Sequence, residues 1–416
     1  MSFLIAAPAS GSGKTTVTLG VLRAISRRTP VRAAKSGPDY IDPRFHAAAC
    51  GQTCLNLDAW AMTPDRVRSL AAGPTPLIVE GAMGLFDGAP PDGKGACADL
   101  ARILHLPVVL VIDAGKMAGS VAALAAGFIN HDPQVKIAGV ILNNVGSARH
   151  ESMLRRALHD VRIFGAIPRT PDLHHPSRHL GLVQATEHAD LDAYLDRAGD
   201  LMARHLDLDG LMRLHTAPLL PANSKPIPPP GQTIAVAQDA AFAFCYPHLL
   251  NDWRSAGAQV SFFSPLADEP APTADVIYLP GGYPELHAGR IAANSTFLDS
   301  LRNSPAHIYG ECGGYMVLGQ GLIDADGQRH AMAGLLGLET SLARRKLHLG
   351  YRHLTATKGI MCGAWTGHEF HYATTLQAIG DPLFTAQDAE AAPLPAMGLI
   401  NGKVSGSFGH LIDAAE

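Results

Sequence analysis

The sequence predicts two α/β domains in series, the first a parallel sheet built around a phosphate-binding loop. Short apolar runs at 3–7, 77–80, 108–113, 137–143 and 164–167 alternate with segments of helical periodicity at 15–27, 119–130 and 150–161. Parallel strands covered on both faces by helices give this pattern. The alternation restarts at 233–237, continues with a helix through 249–254, and resumes at 259–263 and 276–279. Between the two lies Ala217-Pro218-Leu219-Leu220-Pro221-Ala222-Asn223-Ser224-Lys225-Pro226-Ile227-Pro228-Pro229-Pro230-Gly231-Gln232. Proline at that density forbids helix and central strand, and marks an extended linker. The expected division is 1–210, a linker over 211–231, and 232–416.

Composition narrows the function. A hydrophobic fraction of 47% and a charged fraction of 17% suit a soluble α/β protein. A formal charge of −4 gives no electrostatic basis for binding nucleic acid or an anionic membrane. No apolar stretch reaches membrane-span length, and Ser2-Phe3-Leu4-Ile5-Ala6-Ala7 lacks the basic flank of a secretion signal. Six scattered cysteines (50, 54, 97, 245, 312 and 362) read as reduced thiols. A cytoplasmic location is the expectation. Cys50 and Cys54 have no second ligand pair at zinc-site spacing, so burial is their expected role.

The first strand runs into Pro8-Ala9-Ser10-Gly11-Ser12-Gly13-Lys14-Thr15-Thr16, then a helix. Backbone N–H groups of Ser10, Gly11, Ser12, Gly13 and Thr16 would cradle phosphates of ATP at the helix N-terminus. Lys14 would reach the β and γ oxygens, and Thr15 would hold Mg²⁺. Pro8 stands where the usual pattern has its first glycine. Partner-switching ATPases carry a second lysine five positions before the loop lysine. That position is Ala9, which argues against a dimerising switch. Two Gly/Pro-punctuated strand exits add oxygen ligands: Lys35-Ser36-Gly37-Pro38-Asp39-Tyr40-Ile41-Asp42-Pro43 and Glu80-Gly81-Ala82-Met83-Gly84-Leu85-Phe86-Asp87-Gly88. Strand C-termini line the ligand crevice of an open α/β sheet. Asp39, Glu80 and Asp87 are therefore expected beside Lys14 and Thr15, with Thr15, Asp39 and Glu80 as metal ligands.

In the second domain, Tyr309-Gly310-Glu311-Cys312-Gly313-Gly314 reads as strand, tight turn and helix. A nucleophile elbow needs this arrangement, since small neighbours permit a strained turn and the helix start favours the thiolate. Gly281 and Gly282, after the strand at 276–279, together with Gly313 supply N–H groups for an oxyanion hole. His410 is the preferred general base, with His368 and His371 as rivals.

These residues resemble the cobyrinate/hydrogenobyrinate a,c-diamide synthases of cobalamin biosynthesis across essentially the whole chain. The resemblance rests on the loop at 10–16, the stretches at 35–43 and 80–88, and Pro176-Ser177-Arg178-His179-Leu180-Gly181-Leu182. It continues in Gly281-Gly282-Tyr283-Pro284-Glu285, Glu311-Cys312-Gly313-Gly314, Gly367-His368-Glu369-Phe370-His371-Tyr372 and Gly406-Ser407-Phe408-Gly409-His410-Leu411. It implies an N-terminal domain similar to dethiobiotin synthetase and a C-terminal class I glutamine amidotransferase. By that likeness Asp39, Asp42, Glu80 and Asp87 serve carboxylate activation, and Tyr40 and Ile41 lie against the tetrapyrrole. Cys312 is the nucleophile and His410 its base.

Three departures stand out. Ile412 occupies the place of the usual triad glutamate, two residues past the histidine, with Asp413 next to it. Gly409 replaces a common aromatic residue. Glu311 is more polar than the general class has before its cysteine.

The expected reaction is ATP- and glutamine-dependent amidation of the a and c side chains through acyl phosphates. The small-molecule partners are a tetrapyrrole polycarboxylate, glutamine and ATP; a homodimer is left open. Cobyric acid synthase, nickel-sirohydrochlorin a,c-diamide synthase and a P-loop regulatory or scaffold protein are the alternatives. The loop sequence leans toward a metal-free ring.

Overall fold

A seven-stranded parallel sheet forms first, in the computed structural model that describes residues 1–170, 173, 184–188, 190–214 and 216–415. Its strands are β1 (Phe3–Ala6), β2 (Arg32–Ser36), β3 (Leu55–Leu57), β4 (Leu77–Glu80), β5 (Val108–Asp113), β6 (Ile137–Val145) and β7 (Ile163–Pro168), in the order β3-β2-β4-β1-β5-β6-β7. Every pairing is parallel. Strand order reverses around β1, which sits between β4 and β5, so the loop after β1 opens at a topological switch point. Phe3, Leu4, Ile5 and Ala6 are fully buried, as a central strand packed on both faces requires. Helices α1 (Lys14–Ser26) and α2 (Asp42–Cys50) begin directly after the loops that follow β1 and β2. The stretch 176–182 lies outside the described residues.

The chain divides into two compact units, Met1–Lys225 and Pro226–Glu416. Residues 216–229 carry neither helix nor strand. Their first part is tied to the first unit, where Ser69 donates to the Ala222 carbonyl at 2.7 Å. The Ile227 N–H, in the second unit, donates to Asp252 at 2.9 Å.

In the second unit β8 (Thr233–Ala237), β9 (Gln259–Phe263), β10 (Val276–Leu279) and β11 (His307–Glu311) form a parallel core with the strand Val404–Ser407. Five antiparallel strands extend the sheet beyond Val404–Ser407, ending in His348–Ala356, Gly363–His371 and Gly409–Ala414. β10, β11 and Val404–Ser407 are neighbours in that order and run the same way. Their C-terminal ends therefore deliver three loops to one edge: 280–283, 312–314 and 408–410.

That edge allows no side chain at Gly314. A Cβ there would sit 2.0 Å from the Leu279 carbonyl oxygen, which is fixed in β10. Gly314→Ala is expected to cost about 3 kcal/mol or more. The melting transition of the unit should fall by roughly 6 °C or more, read by calorimetry. An unchanged transition would contradict this packing.

Candidate active sites

The loop after β1 is shaped by glycine. Gly11 and Gly13 have φ of 80° and 87°, a left-handed conformation that a side chain would strain. A Cβ at Gly13 would also meet the Asn143 amide at 2.3 Å, and that amide donates to the Ser12 carbonyl at 3.0 Å. Gly13 is the N-cap of α1 and no side chain caps the helix there. Ser10 and Gly11 are exposed; Ser12 is buried and donates to the Ala9 carbonyl. Thr16 hydrogen-bonds Tyr194. Lys14 is buried with its ammonium on the Met83 carbonyl at 2.6 Å, and burial holds its pKa below the usual lysine range.

Beside Lys14 lies an oxygen-rich cluster. Thr15 Oγ1 donates to Glu80 Oε1 at 2.7 Å, with Asp42 Oδ2 at 3.4 Å. Lys35 reaches Asp42 at 2.6 Å, Glu80 at 2.9 Å and Asp39 at 3.7 Å. Burial would push the Lys35 pKa down, but these carboxylates raise it well above the ordinary value. Burial likewise opposes ionisation of Glu80, yet Lys35 and His46 outweigh it and hold Glu80 charged. Asp39 goes the other way: burial, then the Asp42 charge, lift it to about 6. Its Oδ1 accepts from the Ile41 and Asp42 N–H groups, which fixes the start of α2. Ile41 is itself buried, and Tyr40 half-buried.

Three of the acidic positions expected from the sequence (Asp39, Asp42 and Glu80) are thus gathered around Lys35, and Thr15 joins them through Glu80. Asp87 instead turns back on its own loop, accepting from the Gly84 N–H at 3.0 Å. Sequence reasoning gave no role to Lys35, to His46 (which hydrogen-bonds Glu80) or to Asn56, whose amide donates to the Gly37 and Asp39 carbonyls. Lys35 had a usable signal: it is a lysine at the buried end of a strand, which demands an anionic partner. The donor set of Thr15, Asp42 and Glu80 is all hard oxygen and carries net negative charge beside Lys35, which fits Mg²⁺.

Cys312 leaves β11 with φ 46° and ψ −100°, strained backbone for a residue with a side chain. Its N–H donates to the Ser407 carbonyl at 2.8 Å, and the helix Gly313–Leu318 starts at once. Gly313 abuts the diglycine loop, since a Cβ on it would lie 3.1 Å from Gly282 N. A Cβ on Gly281 would lie 2.4 Å from His410 Cε1, so the imidazole occupies the space that glycine vacates. His410 is buried and hydrogen-bonds Cys312. Burial would lower its pKa, but Cys312 and Glu311 overcome that and raise it to about 10. The imidazole beside the thiol can therefore keep its proton across neutral pH.

This shift has a consequence for stability. A histidine raised from about 6.5 when unfolded to about 10 when folded stabilises fully below the unfolded value. That contribution is lost as pH rises through the folded one. The melting temperature should thus decline between about pH 6.5 and 10 more steeply in the parent than in His410→Asn. Parallel curves would contradict the assignment.

The rival histidines have other work. His368, the register partner of His410, is driven to a pKa of about 3 by burial and by the His410 and Arg352 charges. His371 stacks on Phe408 at 3.8 Å and contacts Glu369 at 3.0 Å, while Arg352 holds Glu369 at 2.7 Å. His348 stacks on His371 with rings only 7° from parallel. With both Glu369 oxygens engaged, this is an ion-paired layer supporting the loop that carries His410. Asp413 accepts from its neighbour Ala414, and Ile412 is fully buried. All six cysteines are free; Cys54 is buried near His46 and Cys50 half-buried. Among the described residues no helix is long and apolar enough to cross a membrane.

A phosphate loop with an oxygen cluster in one unit, and an elbow cysteine with a buried histidine in the other, define a glutamine-dependent ligase. The comparisons agree. Residues 3–183 match the CobQ/CobB/MinD/ParA nucleotide binding domain, and residues 233–416 the CobB/CobQ-like glutamine amidotransferase domain. A hydrogenobyrinate a,c-diamide synthase from Brucella anthropi is 54% identical, covering 99% of this chain and 98% of its own. Those of a Sinorhizobium species and of Rhodobacter capsulatus are each 52% identical, with 99% and 98% of this chain covered and 98% of each relative. Among solved structures, a glutamine amidotransferase matches 38% of this chain and 80% of its own at 14% identity and a TM-score of 0.27, a likeness too slight to inform the site. The chain belongs to the hydrogenobyrinate a,c-diamide synthase family.

Proposed function

We propose that this enzyme amidates the a and c carboxylates of hydrogenobyrinate, using ATP and glutamine for each. The observation that carries this reading is near full-length similarity, 52–54% in these three relatives, to proteins bearing that name. The pairing of the two sites in one chain supports it chemically. A carboxylate resists ammonia until one oxygen becomes a good leaving group. In the first unit a substrate carboxylate oxygen attacks the γ-phosphorus of ATP, ADP departs, and an acyl phosphate forms. The loop N–H groups and Lys14 hold the phosphates in line. Thr15, Glu80 and Asp42, with Asp39 beside them, are the residues to hold Mg²⁺, which would neutralise developing phosphate charge.

In the second unit the Cys312 thiolate attacks the glutamine carboxamide carbon. N–H groups of Gly281, Gly282 and Gly313 receive the oxyanion. His410 protonates the departing ammonia, leaving a thioester that water hydrolyses to glutamate. Ammonia then attacks the acyl phosphate carbon and releases phosphate. The reaction is that of a cytoplasmic biosynthetic enzyme.

Incubation with hydrogenobyrinic and cobyrinic acids in parallel, followed by mass spectrometry, tests the substrate. The diamide should form from the metal-free ring with the higher kcat/KM. Turnover of the cobalt ring alone would overturn the assignment.

A further inference from the structure

We infer that Glu311, the residue immediately before the nucleophile, positions His410 and so replaces the triad carboxylate missing at Ile412; this rests on the assignment of Cys312 and His410 as the glutaminase pair. The geometry starts with the strand. β11 ends at Glu311, and Cys312, with its left-handed φ, turns the chain off the strand. His410 lies at the start of the strand Gly409–Ala414, where its imidazole hydrogen-bonds Cys312 and also faces the Glu311 carboxylate. Glu311 Oε2 lies 3.6 Å from His410 Nδ1, with both side chains 2% exposed. That separation is ion-pair range, and contacts of this kind commonly shorten once substrate binds.

The carboxylate is itself held. Tyr278, on β10, donates its hydroxyl to Glu311 Oε2 at 2.9 Å, and the Leu411 N–H donates to Oε1 at 3.2 Å. These bonds tie the carboxylate to β10 and to the backbone beside His410. Leu411 follows His410 directly, so its N–H ties the histidine's own backbone to the same carboxylate. Among the described residues, Cys312, Glu311 and His368 are charged or titratable groups that act with His410, and Gly281 lies against its ring. Of the three, only Glu311 can keep the proton on Nδ1 and leave Nε2 to the sulfur, the task a triad carboxylate performs. Asp413, the nearer candidate by sequence, accepts from the Ala414 N–H through Oδ1.

The test uses the full-length enzyme and compares Glu311→Gln, Glu311→Asp, Tyr278→Phe and Cys312→Ala. Glu311→Gln should lower glutaminase kcat by on the order of 10–100-fold, with the glutamine KM changed less than about twofold. The alkaline limb of its pH profile should move to lower pH, because the imidazolium loses its anionic neighbour. Glu311→Asp should recover part of the rate, and Tyr278→Phe should shift the same limb with a smaller loss. A parent-like near-UV circular dichroism spectrum and melting transition serve as the check that the second unit of each variant is folded. A parent-like kcat and pH profile in Glu311→Gln, or an unmoved limb in a folded Tyr278→Phe if Glu311→Gln does not fold, overturns the inference. Glutaminase activity surviving in Cys312→Ala would overturn instead the reading on which it rests.

Discussion

Cys312→Ala should lose glutamine-driven amidation by about 10⁴-fold or more, as removal of a covalent nucleophile does. With ammonium salt at high pH the same variant should amidate within about twofold of the parent rate, because the sites lie in separate compact units and their effects should be independent. The assay is amide formation with each nitrogen source in turn. The expectation follows from the placement of Cys312: its strained backbone, the helix starting behind it and the His410 contact all act on one sulfur. Loss of both activities would contradict the division of labour between the two units.

Glu80→Gln gives the complementary result. Glu80 accepts from Thr15, Lys35 and His46 and is 1% exposed in its side chain. Removing its charge takes an ion-pair partner from a buried lysine, a change that costs about 3–5 kcal/mol in comparable sites. It also removes a hard ligand from the phosphate site. Amidation with either nitrogen source should fall by about 10²-fold or more. Glutaminase activity should persist. Asp39→Asn, which leaves the Lys35–Glu80 pair intact, should show the same split with less effect on stability. If either variant lost glutaminase activity alone, the site would be misassigned.

Much of this was legible in the sequence because the residues concerned sit where chain geometry leaves little choice. Gly13-Lys14-Thr15 follows a fully apolar strand, and only a phosphate loop places a lysine and a threonine there. Gly313-Gly314 after Cys312 marks an elbow, and Leu279 explains why the second glycine cannot change. The antiparallel wing was not legible. His348–Ala356 and Gly363–His371 mix polar, half-buried and exposed positions without clean alternation, so period-two reading finds little to count. Pro393–Asn401 and Val404–Ser407 fold back on each other as an antiparallel pair. Only the second is parallel to β11, and that pairing brings His410 to Cys312. Lys35, His46 and Glu311 escaped assignment for a related reason. Each acts in part through a partner 34 to 100 residues away, and such distances are set by sheet order rather than by local pattern.

In the proposed reaction, glutamine nitrogen reaches a carboxylate activated by ATP on the same enzyme. Incubating the enzyme with hydrogenobyrinic acid, ATP, Mg²⁺ and amide-nitrogen-labelled glutamine follows that nitrogen. The label should appear at both new amides, with one ADP and one glutamate formed per amide. Unlabelled diamide, or ADP and glutamate released without amide formation, would contradict it.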